Sequence, residues 1–197
     1  MISPLTAAVA ALQSPCSRTI GVAALIVCPC ATALHFGAWL GFVRDTLDSN
    51  IRRADQTAQC IAAVVCCLAF APTPSELTLT ASAALYSTYY TWAQAYTNDR
   101  RRWRLIAATI CTAFATPMLR LGMWTELVIT FATGATAAAV FVAARKHPYS
   151  HGAFHVLLGA LICLLAATAC AAATVTQAAT QNKTAPTQTK TAPTEYE

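Results

Sequence analysis

The stretch HGAFHVLLGALICLLAATACAAAT, residues 151–174, runs for 24 positions without an Asp, Glu, Lys or Arg. As a helix rising 1.5 Å per residue it would be about 36 Å long, enough to cross the roughly 30 Å hydrocarbon core of a bilayer. It opens on two of the four histidines of the chain, His151 and His155, four residues apart. Two questions follow: how many more such helices there are, and what the imidazoles do at the start of one.

The composition answers the first in outline. With 56% hydrophobic and 11% charged residues among 197, a soluble fold would leave large apolar patches in water. The expectation is an all-α, polytopic membrane helix bundle. Apolar runs of about 17 to 25 residues are what the bilayer demands, and five others can be marked out, at about 19–43, 56–72, 77–96, 105–121 and 125–144. Polar segments separate them: RDTLDSNIRRADQ after the first, APTPSE after the second, TNDRRRWR after the third. That makes six transmembrane helices in a bundle spanning 19–175. Residues 3–14 are apolar but too short to span, and segment 1–18 is expected to be interfacial or packed, counting as a seventh helix only if 3–14 enters the membrane. The Thr/Ala/Pro-rich end, 176–197, has no apolar groups to bury and is expected to be disordered.

Charge sets the orientation. The loops after the first, third and fifth spans carry Arg44, Arg52, Arg53, Arg100, Arg101, Arg102, Arg104, Arg145 and Lys146, whereas the other side has only Arg18, Arg120, Lys183 and Lys190. Basic residues stay with the cytoplasmic face, so both termini are expected on the non-cytoplasmic side. Asn182-Lys183-Thr184 is a glycosylation acceptor on that same side.

Nine cysteines are present, and all but Cys16 fall in or at the edge of a span. There they serve as small polarizable packing residues, and no disulfide framework is expected. Cys28-Pro29-Cys30 has the form of the ion site of heavy-metal pumps, but such pumps need a large phosphorylated cytoplasmic domain for which the chain has no room. Pro29 is instead expected to kink its helix. Phosphate loops, nucleophile elbows and Gly-rich cradles are absent, and the net charge of +5 sits on loops beside lipid headgroups, which points to membrane lipids as partners and away from nucleic acid.

The histidines converge on one membrane depth. His151 and His155 share a helix face at the cytoplasmic end of the last span. His35 lies in the last third of the first span and Asp55 where the second begins, both at that same end. His147 precedes Pro148, which biases it out of helical geometry and away from this set. Ionisable residues at such depths mark functional sites. Three neutral imidazoles suit tetrahedral Zn²⁺ with the fourth position left to water, whose pKa falls to about 7, and a carboxylate alongside can carry the proton.

His35, Asp55 twenty residues on, and HGAFHVLLGA opening the last helix together resemble the superfamily of seven-helix (CREST-type) membrane hydrolases. It includes the progestin and adipoQ receptors, the hemolysin III proteins, alkaline ceramidases and, more distantly, myomaker. The last motif is especially similar to the hemolysin III branch, and the pattern covers about residues 20–175. What the resemblance implies is a zinc ion held by His35, His151 and His155 at the cytoplasmic side, with Asp55 as the catalytic carboxylate in hydrolysis of a lipid amide or ester. The substrate would enter laterally from the bilayer. The family commonly carries a serine four residues before its first histidine, where this chain has Ala31, and its first helix is missing here or reduced to residues 3–14.

Two other classes fit the same residues. A multi-pass scaffold or signalling component would need no reaction, and Ala31 is in keeping with one. A b-type haem protein could use His35 with His151 or His155 as axial ligands, although such proteins usually place ligands on both sides of the membrane.

Overall fold

The computed structural model describes residues 4–40, 50–93, 99–144 and 148–184, with side chains left out at 34–39, 99–100, 141–144, 148–155, 179 and 181–184. Among these residues the fold is all-α: α1 (Pro4–Leu12), α2 (Arg18–Trp39), α3 (Asn50–Leu68), α4 (Pro74–Ala93), α5 (Asp99–Arg120), α6 (Trp124–Ala144) and α7 (Pro148–Thr184), with no strand. The last six helices coincide with the six apolar runs to within a few residues at most ends. Three boundaries differ more, among them the start of α5 at Asp99, six residues before its apolar run. Helix α3 begins at Asn50, six residues before its apolar run, because Arg52, Asp55 and Gln59 bond along one helix face. Helix α7 continues to Thr184, so residues 176–184 of the expected disordered tail are helical. There Thr176 and Thr180 hydroxyls donate to carbonyls one turn back.

Of the six expected spans, one stretch among the described residues, Val156–Ala178, is both long and apolar enough to cross a membrane. Arg18–Ala33 and Trp124–Val140 are apolar but shorter. Helices α3 and α5 fall out because each starts on a polar turn, with Arg52, Arg53 and Asp55 in one and Asp99 through Arg102 in the other.

Within segment 3–14, Pro4–Leu12 is a packed helix. Ala7, Ala8 and Ala11 are buried, and α1 packs on α2 and α7. Gly21 permits the approach, since a Cβ there would lie 2.8 Å from the Ala8 carbonyl oxygen and 2.9 Å from the Leu12 amide.

The expectation of no disulfide is corrected: Cys16, in the α1–α2 turn, is bonded to Cys170 of α7, 154 residues away. The two thiols meet because α7 packs against both α1 and α2, which brings its later half beside that turn. At the same end, Ile20, Phe70, Phe114, Met118, Met123, Leu127, Ala169 and Ala172 form one apolar cluster. It joins the start of α2, the chain just after α3, the end of α5, the start of α6 and the later half of α7, so consecutive helices run antiparallel.

Two connections at this end are fixed by local chemistry. Thr73-Pro74-Ser75-Glu76 is a capping box: the Thr73 amide donates to Glu76 Oε2 at 2.7 Å and the Glu76 amide donates to Thr73 Oγ1 at 3.3 Å, with Pro74 at the first helical position. Arg120, ending α5, donates Nε to both Glu76 oxygens (2.9 and 3.1 Å) and Nη2 to the Ala71 carbonyl at 3.0 Å. It straps α5 to the α3–α4 turn, where Ala71 adopts a left-handed φ of 46°. Helix α5 closes in a Schellman motif on Gly122, at φ 71°, with the Met123 amide donating to the Met118 carbonyl and the two side chains packed in the same cluster.

Candidate functional site

The apolar cluster serves as a ruler for the opposite end. His35 follows Ile20 by 15 residues, Asp55 precedes Phe70 by 15 and His155 precedes Ala169 by 14. At 1.5 Å per residue each backbone position lies about 21 to 23 Å from the cluster. Helix α2 packs directly against both α3 and α7, so it is the shared neighbour of the other two helices carrying these residues. The fold therefore brings the backbone of His35, Asp55 and the His151–His155 turn to one end of the bundle. The side chains of the three histidines lie outside the described residues, as does all of His147. Among the described residues no three His, Cys, Asp or Glu side chains form a metal-binding group.

Asp55 is the candidate whose side chain is described, and it is 2% exposed. Its Oδ2 accepts from Arg52 Nη1 at 3.2 Å and Gln59 Nε2 at 3.0 Å, both on its own helix at the spacings that share a face. Its Oδ1 is buried with no hydrogen-bond partner. Burial pushes the carboxyl above the ordinary carboxylate range, opposed by the Arg52 guanidinium and the Gln59 amide. Gln56, the next residue, is fully buried with both amide atoms unpartnered. Buried polar groups ordinarily find partners, and among the described residues these two adjacent side chains keep atoms without one. The carboxylate is held by two donors through Oδ2 and by none through Oδ1, which leaves one oxygen able to take up a proton. On donor chemistry alone, three imidazoles are a set that zinc accepts, with a carboxylate nearby to handle protons.

Around Asp55, α3, α4 and α5 meet through cations on aromatic rings. Arg52 Cζ lies 4.8 Å from the centroid of Trp103, Arg53 Cζ 5.6 Å from Trp92 and Arg101 Cζ 5.1 Å from Tyr90. The Trp92 indole N–H donates to Thr57 Oγ1 at 2.9 Å. Sequence reasoning saw these arginines as loop charge alone; Trp92, Trp103 and Tyr90 near the polar breaks were the available signal. Ala31 lies in α2, partly buried, with Thr32 exposed beside it. Asn182 falls within the last turn of α7, its side chain outside the description.

Searches of protein-family models, curated proteins and solved structures find no match to this chain.

Proposed function

We propose that the chain is a multi-pass membrane protein with a zinc site at the cytoplasmic end of its bundle, held by His35, His151 and His155, which hydrolyses a lipid amide or ester with Asp55 as proton carrier. The observation that carries the reading is Asp55 itself: a carboxylate almost wholly buried, oriented through one oxygen and unpartnered through the other, at the bundle end to which α2 and α7 also bring their histidines. Support for the membrane comes from the outer faces, where Leu85, Tyr89, Val128 and Trp124 are 63 to 72% exposed, as lipid-facing side chains would be.

Zinc, when bound, supplies Lewis-acid chemistry, favouring deprotonation of water at neutral pH and polarising a carbonyl. Arg52 and Gln59 hold Asp55 Oδ2, which fixes the rotamer and leaves Oδ1 to accept a proton and later return it to the leaving group. The burial of Asp55 keeps bulk water from competing for that proton. The acyl substrate approaches from the bilayer.

The test is metal content and lipid hydrolysis on detergent-purified protein. Alanine at His35, His151 or His155 should each release most of the zinc, and His147→Ala should leave it unchanged. Asp55→Asn should keep zinc, with up to about 100-fold weaker affinity, while hydrolysis falls by roughly 10² to 10⁴. Wild-type protein that binds zinc yet releases no fatty acid from ceramides and other acyl lipids would leave a non-catalytic scaffold or receptor-like relative, the reading that Ala31 favours. A Soret band in place of zinc would make it a haem protein.

A further inference from the structure

We infer that the Cys16–Cys170 disulfide is a thiol-exchange site entered from one side: a low-molecular-weight thiol attacks Cys170, and Cys16 departs. The inference rests on this bond and the groove beside it, and on neither the zinc site nor the membrane reading. An open groove of about 280 Å³ runs between α1 and α7, walled by side chains such as Ala11 and Ala167 that are too short to fill it. Cys170 and Ser17 are on its wall, and Cys16 is not. A sulfur is attacked only where a thiolate can reach it, which favours Cys170. Gln13 and Arg18, exposed on either side of Cys16 in the chain, put the bond at a polar end of the bundle, where a water-borne thiol arrives.

The two sulfurs also differ as leaving groups. Ser14 Oγ lies 3.0 Å from Cys16 Sγ, and because a disulfide sulfur carries no proton, the hydroxyl is the donor. That hydrogen bond favours negative charge on Cys16 Sγ and so lowers the pKa of the thiol released, and a lower-pKa thiol leaves faster. In the exchange, the incoming thiolate forms a bond to Cys170 Sγ as the Cys16–Cys170 bond breaks. The electron pair passes to Cys16 Sγ, which takes up the proton that the incoming thiol gave to water. One disulfide is consumed and one is made, so no further oxidant or reductant is needed. The products are a mixed disulfide at Cys170, with the groove to receive its substituent, and a thiol at Cys16 beside Ser14. Cys163, a free thiol on the same wall, does not take over the attack. Seven residues along α7 set it about 10 Å from Cys170, beyond disulfide reach. Exchange unties the α1–α2 turn from α7 and leaves α1 to its packing at Gly21.

The experiment is incubation of the full-length oxidised protein with graded glutathione, in neutral detergent well below its melting temperature, followed by alkylation and peptide mapping by mass spectrometry. At early times glutathione is expected on Cys170 and the alkyl group on Cys16, at a rate proportional to glutathione concentration. Ala167→Phe fills the groove and should slow the reaction by about tenfold or more. Ser14→Ala should slow it by roughly three- to tenfold, the worth of one hydrogen bond. Glutathione on Cys16, or no adduct at all, would overturn the proposal, as would an unchanged rate in either variant. So would a rate that levels off at the rate of unfolding as glutathione rises, since the bond would then be reached only in the open chain. Should Ala167→Phe not fold, Cys163→Phe narrows the same groove and is read in the same way. Metal content and lipid hydrolysis play no part in these readouts, so the zinc proposal can fail while this one stands.

Discussion

Reducing the Cys16–Cys170 bond should be the largest single perturbation available to this fold. The bond closes a loop over a separation of 154 residues, for which the chain-entropy estimate is about 5 kcal/mol. That is a ceiling, because a denatured chain that keeps helices in detergent closes a shorter effective loop, and about 2 to 4 kcal/mol is the usual yield. At about 2 to 4 °C per kcal/mol for a chain of this size, Tm should drop by roughly 5 to 15 °C. The assay is intrinsic-fluorescence melting of the purified protein with and without reductant, beside a Cys16→Ser, Cys170→Ser double variant, which should melt with the reduced protein. Alkylation of the unreduced, unfolded chain should modify the other cysteines and spare these two. Modification of both, or coincident melting of oxidised and reduced protein, would refute the reasoning. The bond also bears on orientation, since disulfides persist on the non-cytoplasmic side, the side to which arginine counting assigns Cys16.

Three shorter predictions follow from the same end of the bundle and its threading. Glu76→Gln should lower stability by about 1 to 3 kcal/mol, because the Arg120 strap loses a charged acceptor. Burial raises the Glu76 pKa, but the Thr73 amide and hydroxyl and Arg120 outweigh it and hold the carboxyl below its usual value. Its contribution is therefore present above the ordinary carboxylate pKa of about 4.3 and is lost as pH falls through the lowered folded value, so melting curves of wild type and variant should converge in acid. Gly21→Ala forces α1 from α2 and should cost about 1 to 3 kcal/mol, read as a lower Tm. Reporters inserted near Arg101 and fused after Glu197 should lie on opposite sides of the membrane; finding both on one side would overturn the threading.

Helices α2 to α7 were legible because each carries an apolar run with polar residues at its ends, and length alone separates such runs from loops. Helix α1 was not, since nine residues of Pro4–Leu12 hold too few turns to show a period, and only packing against Gly21 makes it a stable element. Asp55 was legible as a lone carboxylate at a span boundary, but its vacant oxygen depends on Arg52 and Gln59 turning toward the other one. The capping box at Thr73–Glu76 was readable from TPSE; its link to Arg120 was not, because 44 residues separate the partners. The pairing of Cys16 was hidden for the same reason, though its position as the one cysteine outside the spans was a clue.

That solitary position has a consequence for how the chain is made. Cys16 leaves the ribosome early, and its partner follows only after 154 more residues, about 8 to 30 s later at 5 to 20 residues per second. Throughout that interval the other cysteines already synthesised sit in or at the edge of apolar runs. Closure waits for the last helix, and the finished bond marks a chain whose synthesis has passed residue 170.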